Sequence, residues 1–121
     1  MESMYDKIGE ENLKSILEDF YTQVFDNEIL KPLFKGEKSL ILHKQQLFLT
    51  QLLGGPTLYN NEYGHPRMRM RHMPFKIDET AMMEWLKCMK SAISKSSLEE
   101  DLKASFYSVF PNIAMHMVNH R

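Results

Sequence analysis

Apolar residues in the first quarter of the chain recur at intervals of three and four positions. The positions concerned are Leu13, Ile16, Leu17, Phe20, Tyr21 and Val24. This spacing places them on one stripe of a helix, so the pattern predicts an amphipathic helix from about Glu10 to Asn27. The proline and glycine in the stretch Lys31–Gly36 then interrupt the pattern, which predicts a turn.

A second helix is predicted from about Ser39 to Leu53. Gly54, Gly55 and Pro56 follow it as a typical C-terminal signal. The polar stretch 60–64 is predicted to be a loop.

Arginine and methionine alternate from Arg67 to Arg71, a period of two that is typical of a strand. Both residue types are good helix formers, and the sequence offers no other strand to pair with this one. We therefore predict a short helix that ends near His72. Pro74 lacks a backbone donor and disfavours helical geometry at Met73, so the helix does not continue.

A third long helix is predicted from Asp78, a suitable N-cap, to about Lys95. Its apolar side holds Met82, Trp85, Leu86, Met89, Ala92 and Ile93. The sequence Ser-Leu-Glu-Glu from Ser97 predicts a capping box for a last helix that runs to about Asn119 with a kink at Pro111. Residues 1–121 are thus predicted to form one all-α domain.

Composition narrows the classes of function. The formal net charge is −1, and no global basic field indicates binding to nucleic acid. The single cysteine, Cys88, excludes an internal disulfide and fits a reducing compartment. We find no signal-peptide pattern and no apolar run of membrane-spanning length, so a cytoplasmic protein that does not span a membrane is expected.

The common catalytic motifs of hydrolases and nucleotide-binding proteins are missing from the sequence. It holds no Walker loop, no dinucleotide glycine fingerprint, no zinc-type Cys/His spacing and no serine in a nucleophile elbow. His116 and His120 are four residues apart and would face the same side of a helix, but no third metal ligand accompanies them.

His72 is the first candidate for chemistry. Pro74 fixes the corner of the chain next to it, and the aromatic Phe75 follows directly. A haem iron needs a neutral imidazole whose other nitrogen donates to a carbonyl, and the last turn of a short helix offers free carbonyls. The alternative is an ordinary structural or surface histidine.

Three side chains on the predicted helices are candidates for the opposite wall of such a pocket. A diatomic ligand gains partial negative charge once iron shares electron density with it, and hydrogen-bond donors hold it in place. Tyr21, Gln45 and Trp85 offer such donors. The alternative is core packing for Tyr21 and Trp85, and a solvated helix position for Gln45.

The chain resembles the truncated haemoglobins, specifically group II. The resemblance rests on Tyr5–Gly9, Phe20–Val24, Pro32–Phe34, Phe48–Gln51, Gly54–Pro56, Gly64–Pro66, Arg69–Phe75, Trp85–Met89 and His116–Asn119. These stretches span nearly the whole chain in the order of the family, and their combination is specific.

The resemblance implies a globin-like, two-over-two helical sandwich around haem b. It makes His72 the proximal iron ligand, and it makes Tyr21, Trp85 and Gln45 the distal hydrogen-bonding group. The remaining haem contacts that we expect are Phe34, Ile41, Lys44, Arg71 and Phe75. For Lys44 and Arg71, which match basic positions near the propionates, the alternative is ordinary surface cations. Ile41 matches a distal gate position that is usually a small residue in this group. Glu10 departs from the family where a second glycine often follows Gly9.

The resemblance implies binding of O2, NO or CO. Three donors predict tight O2 binding with slow release, since each charge-assisted hydrogen bond contributes roughly 1.5–3 kcal/mol. The resemblance also permits nitric oxide dioxygenation or peroxidase-like turnover, which would need a separate reductase. The alternative function is a haem-free all-α binding or regulatory module. A monomer or a homodimer is expected.

Overall fold

A computed structural model describes residues 2–34, 37–63 and 78–112 of the chain. Over these residues the regular elements are helical, and none is a strand. The α-helices are α1 (Met4–Ile8), α2 (Glu10–Asp26), α3 (Lys38–Leu52), α4 (Leu58–Tyr63), α5 (Glu79–Ser94) and α6 (Glu100–Tyr107), with a 3-10 turn at Lys31–Leu33. The predicted all-α class is confirmed.

Helix α2 is the centre of the fold, because it packs against both α3 and α5, and α5 in turn packs against α6. Six side chains of α2 are buried, namely Leu13, Ile16, Leu17, Phe20, Tyr21 and Val24. They are the six that the apolar spacing places on one stripe. Helix α5 also buries six side chains, Trp85 and Met89 among them. The core therefore lies where α2 crosses α5.

The predicted ends of the three long helices agree with the observed ends to about one residue. Asp78 caps α5, since its carboxylate accepts a hydrogen bond from the Ala81 N–H at 2.9 Å. Gly54 follows α3 with a φ of +94°, a left-handed conformation that costs glycine little. The signals at Asp78 and Gly54 thus act as the sequence predicts.

The short helix α1 was not anticipated from the apolar spacing. A reciprocal pair of hydrogen bonds between Ser3 and Asp6 forms its capping box. Gly9, with a φ of +84°, caps the end of α1 and the start of α2. The N–H of Tyr5 donates to the Leu53 carbonyl at 3.0 Å, which fastens α1 to the end of α3.

The prediction of a loop at residues 60–64 was wrong for the described part, because residues 58–63 form α4. Its backbone is held partly by a side chain of α3. Gln51 accepts from the Asn60 N–H at 2.9 Å and donates to the Asn60 side chain at 3.1 Å. A tertiary contact of this kind overrides weak local helix propensity.

The predicted capping box at Ser97 was also wrong. The N-cap of α6 is Glu99, and it makes no side-chain capping bond. The Ser97 hydroxyl donates instead toward Asn12 at 3.5 Å. The helical run is interrupted after Tyr107 and resumes at residues 110–112, which confirms a break near Pro111, whose ring disfavours helix in the preceding turn.

The short helix predicted at residues 67–72, and the end of the last helix beyond residue 112, lie outside the described residues. Among the helices that are described, none combines the length and apolar character needed to span a bilayer.

Candidate functional site

Helix α2 brings Tyr21 to the centre of the candidate site. Its side chain is fully buried, and burial raises the pKa of the phenol far above its ordinary value. The hydroxyl therefore stays protonated and can donate a hydrogen bond at any physiological pH. The Tyr21 and Phe34 rings pack edge to face, with 6.1 Å between their centroids. The sequence predicted both aromatic residues as site residues, and the structure brings them together.

Helix α5 contributes Trp85, which is 7% exposed. Its ring and the Tyr21 ring both contact Phe20, which lies between them. The centroid distances from Phe20 are 4.8 Å to Tyr21 and 5.1 Å to Trp85, both in edge-to-face geometry. Trp85 also packs on Phe110, with 5.8 Å between the ring centroids. Tyr21 and Trp85 thus belong to one continuous group of packed rings.

Helix α3 contributes Ile41 and Gln45, which lie one helical turn apart and so share a face. Both are half-buried, and Ile41 packs against the edge of the core. Between Lys38 and Phe48 no side chain of this helix is fully buried, whereas α2 and α5 each bury six. This half of α3 therefore presents a partly covered face of mixed polarity, while Lys44 is exposed.

The described side chains fit one wall of a haem pocket. The rings of Phe34, Tyr21 and Trp85 and the aliphatic Ile41 supply the apolar surface that a porphyrin needs. The donors are a hydroxyl, an indole N–H and an amide, and no carboxylate is among these residues. Such a set stabilises partial negative charge on a small ligand.

Two polar contacts tie α2 to α5 on either side of this aromatic group. The Asn27 amide donates to the Glu84 carboxylate at 3.0 Å, and Lys95 pairs with Asp19 at 3.2 Å. The hydrogen bond from Asn27 and another from Lys87 hold the pKa of Glu84 below its ordinary value. Sequence reasoning missed Asn27 and Glu84 as a pair, because no local signal tells which residues of two helices face each other.

One buried amide on α2 lacks a partner among the described residues. The Nε2 atom of Gln23 is inaccessible to solvent and makes no hydrogen bond there. Gln23 lies one turn before Asn27, the C-cap of α2.

Several predicted positions contribute nothing to this wall or lie elsewhere. His43 was expected to face away from the pocket, and it is exposed and paired with Glu62 at 3.3 Å. Cys88 was expected in the core and is buried there, and this burial raises the pKa of its thiol. Within the described ranges no three His, Cys, Asp or Glu side chains are grouped to hold a metal ion.

Three of the predicted haem-contacting residues lie outside the described residues. They are Arg71, His72 and Phe75, which fall within 64–77. Their roles therefore stay predictions. Among the described residues, ring contacts link Tyr21 directly to Phe34 and, through Phe20, to Trp85.

Comparison with known proteins gives consistent results. The family model described as bacterial-like globin matches residues 3–119. The group 2 truncated hemoglobin YjbI of Bacillus subtilis is 42% identical over 115 residues, which cover 95% of this chain and 87% of that protein. The two-on-two hemoglobin-3 of Arabidopsis thaliana is 31% identical over 96% of this chain and 69% of its own length.

Solved structures show the same architecture. The truncated oxygen-avid haemoglobin from Bacillus subtilis superposes with a TM-score of 0.90 at 41% identity, covering 98% of this chain and 100% of that one. The group II truncated hemoglobin from Bacillus anthracis gives a TM-score of 0.91 at 34% identity, over 98% of this chain and 92% of that one. The two-over-two helical fold expected from the sequence is confirmed by these likenesses.

Proposed function

Because this chain belongs to the bacterial-like globins, and among them to the group II truncated haemoglobins, we propose that it binds O2 at a haem iron ligated by His72 and releases the gas slowly. Haem b is the cofactor of this family, and its ferrous iron supplies the binding of small diatomic ligands. Family membership favours this function over a haem-free helical module.

Tyr21 and Trp85 are the principal donors in this proposal. Both are buried, and both contact Phe20, so their rings have little freedom to turn away. Donors that are fixed before the ligand arrives cost no reorganisation when they bind it. Gln45 adds a third donor from the half-covered face of α3. A water-poor pocket strengthens each of these hydrogen bonds.

The other predicted residues hold the cofactor or control access to it. Phe34 and Phe75 would supply apolar surface for the macrocycle. Lys44 and Arg71 would offer cations to the propionates. Ile41, which is larger than the residue usual at its position, narrows the entry path and keeps water from the ligand. This assignment favours ligand retention over oxygen transport.

The observation that carries the proposal is the buried contact of Tyr21 and Trp85 with one shared ring. It is supported by the likeness to a protein whose structure is described as that of an oxygen-avid haemoglobin, with 41% identity to this chain. Both point to retention of the bound gas.

The experiment is stopped-flow measurement of O2 dissociation from the ferrous protein. Tyr21→Phe and Trp85→Phe remove one donor each while keeping a ring. Each is expected to raise the dissociation rate roughly tenfold or more, since a charge-assisted hydrogen bond is lost. Phe48→Leu, an aromatic change on α3 without loss of a donor, is the control. Fast dissociation in the parent protein, unchanged in both variants, would contradict slow release.

The ligation by His72 is tested separately with absorption spectra. Purified protein, ferric, reduced and then saturated with CO, is expected to show a Soret band that shifts at each step. His72→Ala is expected to lose or alter that band. An unaltered spectrum in the variant would assign the iron to another ligand.

The same donors suit a second function, because they also polarise O2 or peroxide. Nitric oxide dioxygenation or peroxidase-like turnover would need electrons from a separate reductase. Consumption of NO beyond one equivalent per haem, in the presence of a reducing system, would support catalysis. Consumption that stops at one equivalent would leave ligand binding alone. A cytoplasmic location and a monomeric or homodimeric state stay predictions.

A further inference from the structure

Asn27 uses all of its polar groups in hydrogen bonds to three different parts of the chain. Its N–H donates to the Val24 carbonyl at 3.1 Å, which closes the end of α2. Its side-chain oxygen accepts from the N–H groups of Ile29 and Leu30 at 2.9 and 3.1 Å, and its own carbonyl accepts from Lys31 at 2.8 Å. Its side-chain nitrogen donates to Oε1 of Glu84 at 3.0 Å.

Each of these three parts leads directly to a side chain of the candidate site. Helix α2 carries Tyr21, a little under two turns before Asn27. The turn that Asn27 builds continues through the 3-10 turn to Phe34. Glu84 immediately precedes Trp85 on α5.

We propose that Asn27 is a positioning residue for the ligand-binding wall: it fixes α2, the following turn and α5 relative to one another, so that Tyr21, Phe34 and Trp85 converge. This inference rests on the proposed function, because it assigns those side chains to that wall. The bond to Glu84 sets the rotation and height of the turn of α5 that carries Trp85.

The other polar contact between α2 and α5 provides an internal comparison. Lys95 and Asp19 also join the two helices, and their distance of 3.2 Å is similar to that of the Asn27–Glu84 bond. Lys95 lies ten residues beyond Trp85, or about 15 Å along the helix axis. Loss of this pair is expected to affect stability without turning the Trp85 ring.

Trp85 is the only tryptophan of the chain, so its indole N–H gives a single signal in a nitrogen-15 correlated spectrum. We would record that signal, and its exchange with solvent, on the reduced, CO-saturated protein as purified. Asn27→Asp keeps the acceptor for Ile29 and Leu30 but places a second carboxylate against Glu84. It is expected to shift the Trp85 signal, speed its exchange by roughly fivefold or more, and raise O2 dissociation by a similar factor.

A variant that swaps the amide and the carboxylate between positions 27 and 84 tests the hydrogen bond itself. In the double variant Asn27→Asp with Glu84→Gln, the new amide donates to the new carboxylate and the cross-helix hydrogen bond is restored in reverse. The Trp85 signal and the O2 dissociation rate are both expected to return to within about twofold of the parent. Glu84→Ala, which removes the acceptor alone, is the second variant should Asn27→Asp fold poorly. Asp19→Ala is the matched control and is expected to leave both measurements unchanged.

An unshifted Trp85 signal in Asn27→Asp and in Glu84→Ala would overturn the inference. So would equal effects of Glu84→Ala and Asp19→Ala, or a double variant that fails to recover, because either result describes general loosening of the helix pair. Failure of the proposed function has a different signature, since O2 dissociation would then ignore Tyr21→Phe and Trp85→Phe. The signal of Trp85 would still decide whether Asn27 positions it.

Discussion

Gln23 lies on α2 one turn before Asn27, the residue that caps this helix, and the two side-chain amides differ completely in their hydrogen bonds. Asn27 satisfies every polar group, whereas the buried Nε2 of Gln23 has no partner among the described residues. A buried amide without a partner loses its bonds to water and gains nothing in return.

Replacement of Gln23 by methionine, which has a similar shape, is therefore expected to raise the free energy of unfolding by about 1 kcal/mol. Urea denaturation of the parent and of Gln23→Met measures it. Gln23→Glu is the opposing control, because a buried carboxylate there is expected to destabilise. A loss of stability in the methionine variant would mean that this amide is satisfied in solution.

Glu84 makes the stability of the folded state depend on pH. Its pKa is lowered, first by the hydrogen bond from Asn27 and then by Lys87, so the folded state favours the carboxylate. The resulting stabilisation is present above the unfolded pKa of glutamic acid and is lost as the pH falls through the lower folded pKa. Thermal melts from pH 7 to about pH 3 are expected to show a smaller decline for Glu84→Gln than for the parent. Parallel declines would show that Glu84 does not contribute to the pH dependence of stability.

Individual site residues could be predicted from the sequence when a local pattern marks them. Tyr21 lies on the apolar stripe of α2, and Trp85 lies on that of α5, so their burial follows from helical spacing. The bond between Asn27 and Glu84 depends on how far one helix is shifted along another. That shift is decided by the packing of many side chains and leaves no trace in either segment alone.

At the scale of elements, two glycine positions decide how α1 sits on the fold. A Cβ on Gly55 would lie 2.7 Å from the Tyr5 ring and 2.9 Å from the Thr50 carbonyl. A Cβ on Gly9 would meet nothing within 4 Å, although the φ of +84° strains any other residue. One position is therefore limited by space, and the other is limited by backbone conformation.

Gly55→Ala is expected to cost about 2 kcal/mol through overpacking, and Gly9→Ala about 1 kcal/mol through strain. Thermal denaturation of the two variants shows which substitution costs more stability. Only Gly55→Ala should also weaken the protection of the Tyr5 amide against hydrogen exchange, because it pushes α1 off the end of α3. The reverse order of costs would mean that Tyr5 moves aside easily.

The long helices could be predicted because their stripes are complete and their caps are marked. Helix α4 was missed because it depends on Gln51, a residue of another helix. The start of α6 was misplaced because Ser97 turns its hydroxyl toward Asn12 rather than toward the backbone of its own helix. A capping signal predicts a helix start only where no distant partner competes for the side chain.

For the whole molecule, cofactor binding and folding are linked. A ligand that binds only the folded state adds to its stability, by about 4 kcal/mol at a thousandfold excess over its dissociation constant. Removal of haem is therefore expected to lower the melting temperature by roughly 10 °C or more. Calorimetry of the haem-loaded and haem-free proteins measures the difference, and His72→Ala should narrow it. Equal melting temperatures would show that haem adds nothing to the fold.

The hydrogen bond from the Tyr5 N–H to the Leu53 carbonyl closes a loop that contains all of α2 and α3. Closure of so long a loop carries an entropic cost that is recovered only after those helices have packed together. Helix α1 should therefore be among the last elements to settle during folding. The moment at which the Tyr5 amide becomes protected, followed by pulsed hydrogen exchange, would mark the completion of the first half of the chain.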